Sequence, residues 1–330
     1  MEEISIEPIC RQSFEAQTLA TNFPPRPRDR NKRIVFGLAA PPGARHAGTI
    51  SFSRWRQLPL PETLRRSTKR PSFVLRDDYF TYDPTPEGQV DWYLNFANHD
   101  LFSAYAGPLF AQDEMQVAEH PALVSLRYAL MDAGIDPLSV EDGVATPALI
   151  MGVERWCAIA TDPNAGAGRP HGLYGNQFSV ASEAAVRQAT RVLAPPTKSN
   201  LIAMEAPAYG SGRYTREEIA FIAATAYTGY YAAVQASRAQ GSPAVHIHTG
   251  YWGCGAYGGN RGLMPLLQLI AACAAGVDTL VFHSGGDASG YRHSLEKLEA
   301  WLPVETEVET EVLLHRIVAA GYEWGVSDGT

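Results

Sequence analysis

The chain is poor in several things, and each shortage narrows what it can be. Its four cysteines, Cys10, Cys157, Cys254 and Cys273, show no C-x-x-C spacing, which argues against a zinc ribbon and a disulfide framework. The first residues, MEEISIEPIC, have neither a basic nor an apolar stretch, so no secretory signal is expected and the cytoplasm is the expected compartment. The longest apolar run, residues 262–277, is too short for a bilayer and is interrupted by Pro265 and Gln268. No membrane partner is expected. There is no G-x-S-x-G elbow, which leaves a serine-hydrolase triad nothing to stand on. Internal repeats and low-complexity tracts are also missing.

Other features are plentiful. Among 330 residues there are 29 glycines and 23 prolines, so loops carry much of the shape. A hydrophobic share of 45% is ordinary for a globular chain long enough to bury a core without staples. The net charge of −8 is unevenly spread: residues 1–76 hold 14 Lys/Arg against 6 Asp/Glu, leaving 13 against 29 for the remainder. A basic quarter on an acidic body reads either as a surface for a polyanion or as an Arg-rich segment pairing with that body. Direct nucleic-acid binding is not expected. Residues 24–70, rich in Pro and Arg, read as an extended or loosely helical arm, and 1–76 as an accessory segment before a domain at 77–330.

From residue 77 onward strands and helices alternate, the pattern of an α/β domain with a largely parallel or mixed central sheet flanked by helices. Strands are expected at Val90–Ala97, Ala148–Glu154, Leu201–Ala206, Ala244–Thr249 and Thr279–His283. Helices are expected over 112–133, broken at Pro121, and over 215–240, 262–275, 295–302 and 310–320. Thr215 and Glu218 form the capping box of the second of these.

Two segments carry chemistry. The first, AVHIHTGYWGCGAYGGNRG, is a strand followed by a glycine-rich turn and a helix. Gly253-Cys254-Gly255-Ala256-Tyr257-Gly258 spells G-x-G-x-x-G, which lets backbone N–H groups approach an anion such as a diphosphate. A dinucleotide-binding unit competes for this motif, with Asp278 as its acid. Asp278 precedes its strand, however, and so lies at the wrong edge of the sheet to reach a ribose. The second segment, NFANHDLFSAYAGPLFAQDE, takes a strand end at Asn98 through a loop to a helix opening with Gln112-Asp113-Glu114. Adjacent acids at a helix start commonly just complement the helix dipole. Beside a diphosphate loop they are also suited to general acid–base work on a glycosidic bond.

Together these segments resemble the poly(ADP-ribose) glycohydrolase family. HTGYWGCGAYGG is similar to the family's second diphosphate loop, T-G-N-W-G-C-G-A-F-G-G. NFAN...AQDE is similar to its D-F-A-N...V-Q-E-E signature, with the same 13 residues between Asn98 and Gln112. LIMGVERW with GLYG, and AACAAGVDTLVFHSGGD, resemble further stretches, so the likeness runs in order over about residues 77–290. It implies a macrodomain-like fold and a glycohydrolase that cuts at the distal ribose of an ADP-ribosyl group, with no cofactor and no metal. Glu114 would take the place of the acid/base carboxylate, and Asp113 that of the carboxylate orienting the sugar. Asn98 would bond the distal ribose, with Gln112 supporting it. Gly253, Cys254, Gly255, Ala256, Tyr257 and Gly258 would cradle the diphosphate, and Tyr174 would stack near the adenine or diphosphate. The substrate would be the polymer, a protein adduct or an NAD-derived metabolite.

The departures are concentrated in the first loop. The family's three glycines fall on Phe102-Ser103-Ala104, its first Glu on Asp113, its D-F-A-N Asp on Asn95, its T-G-N-W Asn on Tyr251 and a Phe on Ser284. The alternative reading is therefore a catalytically inactive ADP-ribose-binding module that has kept only the second loop. His246, His248 and His283 could in principle gather on neighbouring strands as a metal site, but without an acid or cysteine at ligand spacing they read as core histidines.

Overall fold

The computed structural model describes residues 7–41, 43–241 and 243–329. Eight strands make one mixed sheet: β1 (Cys10–Glu15), β2 (Thr49–Arg54), β3 (Ser72–Arg76), β4 (Gln89–Ala97), β5 (Ala148–Ile159), β6 (Thr190–Glu205), β7 (Ala244–Thr249) and β8 (Thr279–His283). Their spatial order is β1-β2-β5-β6-β4-β7-β8-β3. The β1 to β6 half is antiparallel, and the β6 to β3 half is parallel throughout.

Ten helices accompany the sheet among the described residues. On one face lie α1 (Ala16–Asn22), α2 (Arg30–Ala39), α3 (Gln112–Glu119), α4 (Ala122–Asp132), the short α5 (Gln177–Val180) and α6 (Glu183–Ala189). On the other lie α7 (Arg216–Arg238), α8 (Leu263–Ala275), α9 (Ser289–Trp301) and α10 (Thr310–Ala319). Because strand side chains alternate, Trp92 and Leu94 of β4 enter the α7–α8 core while Tyr93 and Ala97 enter the α2–α4 core.

Local signals explain several boundaries. Pro121 separates α3 from α4, and Thr215 with Glu218 closes the N-terminus of α7 reciprocally, at 2.7 and 3.2 Å. Asn260 accepts from the amides of Gly262 and Leu263 and so starts α8.

Residues 24–70, expected as an extended or loosely helical arm, hold α2 and β2. Together, residues 7–76 supply β1 and β2 at one edge of the sheet and β3 at the other, and α1 and α2 between them pack into the α2–α4 core. The alternation in β2 (Ile50 and Phe52 buried, Ser51 and Ser53 partly exposed) is too short to stand out in a Pro/Arg-rich context. Four arginines of this segment pair with acids of the body: Arg54 with Glu141, Arg65 with Glu305, Arg66 with Glu299 and Arg70 with Asp278, at 2.5–3.9 Å.

Two results follow. A chain starting at residue 77 should lose its cooperative thermal transition, since both sheet edges go with the deleted segment. Phe52→Ala, at a fully buried position, should destabilise the protein by about 3–5 kcal/mol in urea unfolding.

Candidate ligand cleft and buried acid pair

The glycine turn leaves β7 at Thr249 and reaches α8 through a loop that folds on itself. Gly253 and Gly258 adopt φ of +74° and +70°, where side chains are strained. A Cβ on Gly253 would lie 2.5 Å from that of Ala206, and one on Gly259 would lie 2.7 Å from the Gly253 carbonyl. Trp252 is fully buried and donates its indole N–H to the Met204 carbonyl at 3.0 Å. Gln268, the polar interruption in the apolar α8, donates to the Gly250 carbonyl and accepts from Thr249 and Tyr230. The same amide that breaks up the longest apolar run anchors the start of the loop. Burial raises the Cys254 thiol to about 12, so it packs as a neutral group.

The C-terminal stretch, which carried no signal in the sequence, crosses this loop. Gly325 donates to the Gly258 carbonyl at 2.8 Å, Asn260 to the Glu323 carbonyl at 2.7 Å, and Trp324 stacks on Tyr214. Asp328 and Tyr174 both lie beside Gly255, so the structure does bring Tyr174 to the turn. They share a cleft of about 930 Å³ with Gly250, Tyr251, Cys254, Gly255 and Gln112.

On the opposite wall stands α3, hung from β4 by Gln112. Its side-chain oxygen accepts from the Phe96 amide at 2.7 Å, and its amide nitrogen donates to the Leu94 carbonyl at 3.0 Å. That clasp sets the rotation of the helix. Gln112, Met115, Gln116 and Glu119 face the cleft, whereas Asp113 and Glu114 turn towards α2 and are only 7% and 5% exposed. Asn95 donates to Asp113 at 3.0 Å, and the Glu114 carboxylate accepts from the Ala111 amide at 2.9 Å. Burial and the neighbouring Glu114 charge raise Asp113 to about 7, and burial also raises Glu114. The pair therefore keeps hold of a proton where isolated carboxylates have lost theirs.

Asn98 links the two segments. It donates to the Tyr257 hydroxyl at 3.0 Å, and that hydroxyl donates to Glu205 at 3.3 Å. The expected site residues therefore divide. Asn98 and Tyr257 meet, and Tyr174, Gln112, Cys254 and Gly255 line the cleft, while Asp113 and Glu114 sit behind its wall. Phe102, at the family's glycine position, is buried with φ of +62° and opens a single 3-10 turn, Ser103–Ala106.

Sequence reasoning missed the far end of the cleft. There the buried Glu119 carboxylate holds the Arg155 guanidinium at 2.7 Å and accepts from the Ile159 amide at 2.8 Å, with Arg155 over the Tyr82 ring. The only hint was the spacing of Gln112, Gln116 and Glu119 along one helix. His248 and His283 do come together, 3.0 Å apart, and His283 also bonds Asp78 at 2.9 Å. His246 takes no part in that contact. Among the described residues no group of three or more His, Cys, Asp or Glu is placed to hold a metal ion. Asp278, the dinucleotide-type acid, instead accepts from the Val245 amide at 2.9 Å and pairs with Arg70.

The acid pair has a consequence for stability. In the folded chain Asp113 keeps its proton to about pH 7, whereas unfolded it loses it near the ordinary 3.8 of an aspartate. Its contribution is therefore greatest at acid pH and falls away as pH rises from about 4 to 7. Asp113→Asn should flatten this decline, read as a smaller difference between urea midpoints at pH 5 and pH 7.5.

A family model described as "Poly (ADP-ribose) glycohydrolase (PARG), Macro domain fold" matches residues 167–291, which include Tyr174 and the glycine loop but begin after the acid pair. No curated protein sequence matches the chain. Among solved structures, poly(ADP-ribose) glycohydrolase from Thermomonospora curvata, bound to the inhibitor ADP-HPD, is 16% identical, with 86% of this chain and 83% of that chain covered at a TM-score of 0.44. The enzyme from Deinococcus radiodurans in complex with ADP-ribose is 12% identical, covering 87% and 94% at 0.43. An Oceanobacillus iheyensis macrodomain is 13% identical, covering 72% and 96% at 0.36. Over residues 167–291 the chain thus matches the family model of poly(ADP-ribose) glycohydrolases, whose description names the macro domain fold.

Proposed function

We propose that this protein binds an ADP-ribosyl group, with the diphosphate on the 253–258 turn, and hydrolyses the glycosidic bond at its distal ribose. The observation that carries this reading is the Asn98–Tyr257 hydrogen bond. It joins the loop that leads to the acid pair to the turn suited to the diphosphate, so both segments serve one ligand. Asn98 would exchange Tyr257 for a ribose hydroxyl, and Tyr257 would lie against that sugar. Glu114 would pass the pair's retained proton to the departing oxygen, then take one from the attacking water, with Asp113 orienting the ribose. The Phe102-Ser103-Ala104 turn offers no glycine approach to a phosphate, so recognition rests on the second loop. That favours a protein-linked or small-molecule ADP-ribosyl group over an internal unit of the polymer. Among the described residues no helix is long and apolar enough to cross a membrane.

A second reading, an ADP-ribose-binding module without turnover, is favoured by one observation: both carboxylates are buried and neither lines the cleft. Two variants separate the readings. Glu114→Gln should lower turnover of ADP-ribosylated substrates by about 100-fold or more while leaving ADP-ribose affinity nearly unchanged. Equal turnover in wild type and variant removes Glu114 from the mechanism, and binding without any turnover selects the module. Gly253→Ala, which meets Ala206, should weaken ADP-ribose binding in calorimetry by about tenfold, equivalent to about 1.4 kcal/mol.

A further inference from the structure

Four glycines shape the turn after β7, and they do two different jobs. A Cβ on Gly253 or Gly259 would strike the loop's own packing, Ala206 at 2.5 Å or the Gly253 carbonyl at 2.7 Å. A Cβ on Gly255 or Gly258 would instead meet a distant part of the chain, the Asp328 carboxylate or the Ser327 amide nitrogen, at 3.1 Å each. Glycine is used where another group must come close to the backbone. At Gly255 and Gly258 that place is taken by residues 325–329. Gly258 is buried although the segment beside it is exposed.

This covering segment is anchored at one end and lightly held along the rest. Trp324 stacks on Tyr214 with ring centroids 4.3 Å apart, and its amide donates to the Gly212 carbonyl at 2.8 Å. Beyond it Gly325 donates to the Gly258 carbonyl at 2.8 Å, and Asp328 reaches the Gly255 carbonyl only at 3.4 Å. Asn176 donates to the Gly329 carbonyl at 2.7 Å. These three bonds stand in the open: Val326 is 91% exposed, and Ser327, Asp328 and Gly329 are exposed with it. Segments with so little burial open at small cost. Asp328 also lines the cleft together with Gly255, Tyr174 and Arg261. Its carboxylate stands where a ligand's phosphates would approach the turn, and two anions repel each other there.

We propose that residues 325–329 are a displaceable strap: Asp328 holds the anion-binding face of the glycine turn, and a diphosphate ligand takes that place only by lifting the strap off Gly255 and Gly258. The identity of the ligand rests on the ADP-ribosyl reading, whereas the competition between strap and anion rests on the geometry of the turn. The Trp324 anchor keeps a lifted strap close, so it returns when the ligand leaves.

The test is calorimetry of the full chain with ADP-ribose and with inorganic pyrophosphate, in wild type, Asp328→Asn and Asn176→Ala. Residue-resolved amide exchange at Gly325 is followed with and without ligand. Apparent affinity is the intrinsic affinity multiplied by the share of molecules with the strap lifted, so each variant should bind about fivefold more tightly. Exchange at Gly325 should speed up in the complex, because its bond to the Gly258 carbonyl is lost. An affinity that does not rise in Asp328→Asn, or a Gly325 amide that exchanges no faster in the complex, overturns the proposal. Tighter pyrophosphate binding by the variants of a protein that ignores ADP-ribose removes the ADP-ribosyl reading and leaves the strap standing. ADP-ribose binding of equal affinity in all three proteins does the reverse. Binding of neither ligand by any of them overturns both.

Discussion

Gln112 commits both polar atoms of its amide to the backbone of β4, accepting from Phe96 and donating to Leu94. A helix held to a strand by two such bonds cannot roll without leaving a half-buried amide unpaired. The roll it fixes decides what each later residue of α3 can do. One stripe, through Gln116 to Glu119, becomes a wall of the cleft, while Asp113 and Glu114 are carried behind it towards α2. Asn95, one residue before Phe96 on the same strand, then meets Asp113 from below. Where the resembled family has an acid in that place, an amide here supplies a donor and adds no third negative charge to a buried pair.

The glycine turn shows the complementary economy. Its positive φ values and close backbone approaches make sense only if the loop must close on itself, and the polar Gln268 inside an apolar helix supplies the tie. Charge from Asp113 and Glu205 raises the Tyr257 phenol further above its ordinary range, on top of the larger effect of its burial. The Asn98 bond to Tyr257 is the direct contact between the two segments.

In the parallel half β4, the end of β6, β7 and β8 were legible because each has its own apolar run, whereas β3 lay in the segment read as accessory and was not expected. The bounds of β7 and β8 agree with the expectation at Ala244–Thr249 and Thr279–His283. In the antiparallel half only the first part of β5 was expected, since β1, β2 and the first part of β6 mix prolines, arginines and serines with few apolar residues. Their burial comes from partners distant in sequence, a tertiary effect that local pattern does not carry. The motif residues were legible by type and spacing, but their facing was not. Nothing in Gln112-Asp113-Glu114 reveals that the acids are buried and leave the cleft's lining to Gln112, Met115, Gln116 and Glu119. The arginines of the first quarter suggested a polyanion, yet four of them meet acids of the body.

The central claim is that one ADP-ribosyl ligand spans the glycine turn and the acid pair. A crystal structure of the Glu114→Gln chain with ADP-ribose tests it most directly. The account predicts the diphosphate against the amides of 253–258, Asn98 released from Tyr257 onto the distal ribose, and the residue 114 side chain within about 3 Å of that sugar. A ligand confined to the Glu119–Arg155 end of the cleft, with the Asn98–Tyr257 bond intact and residue 114 still behind the wall, would contradict it.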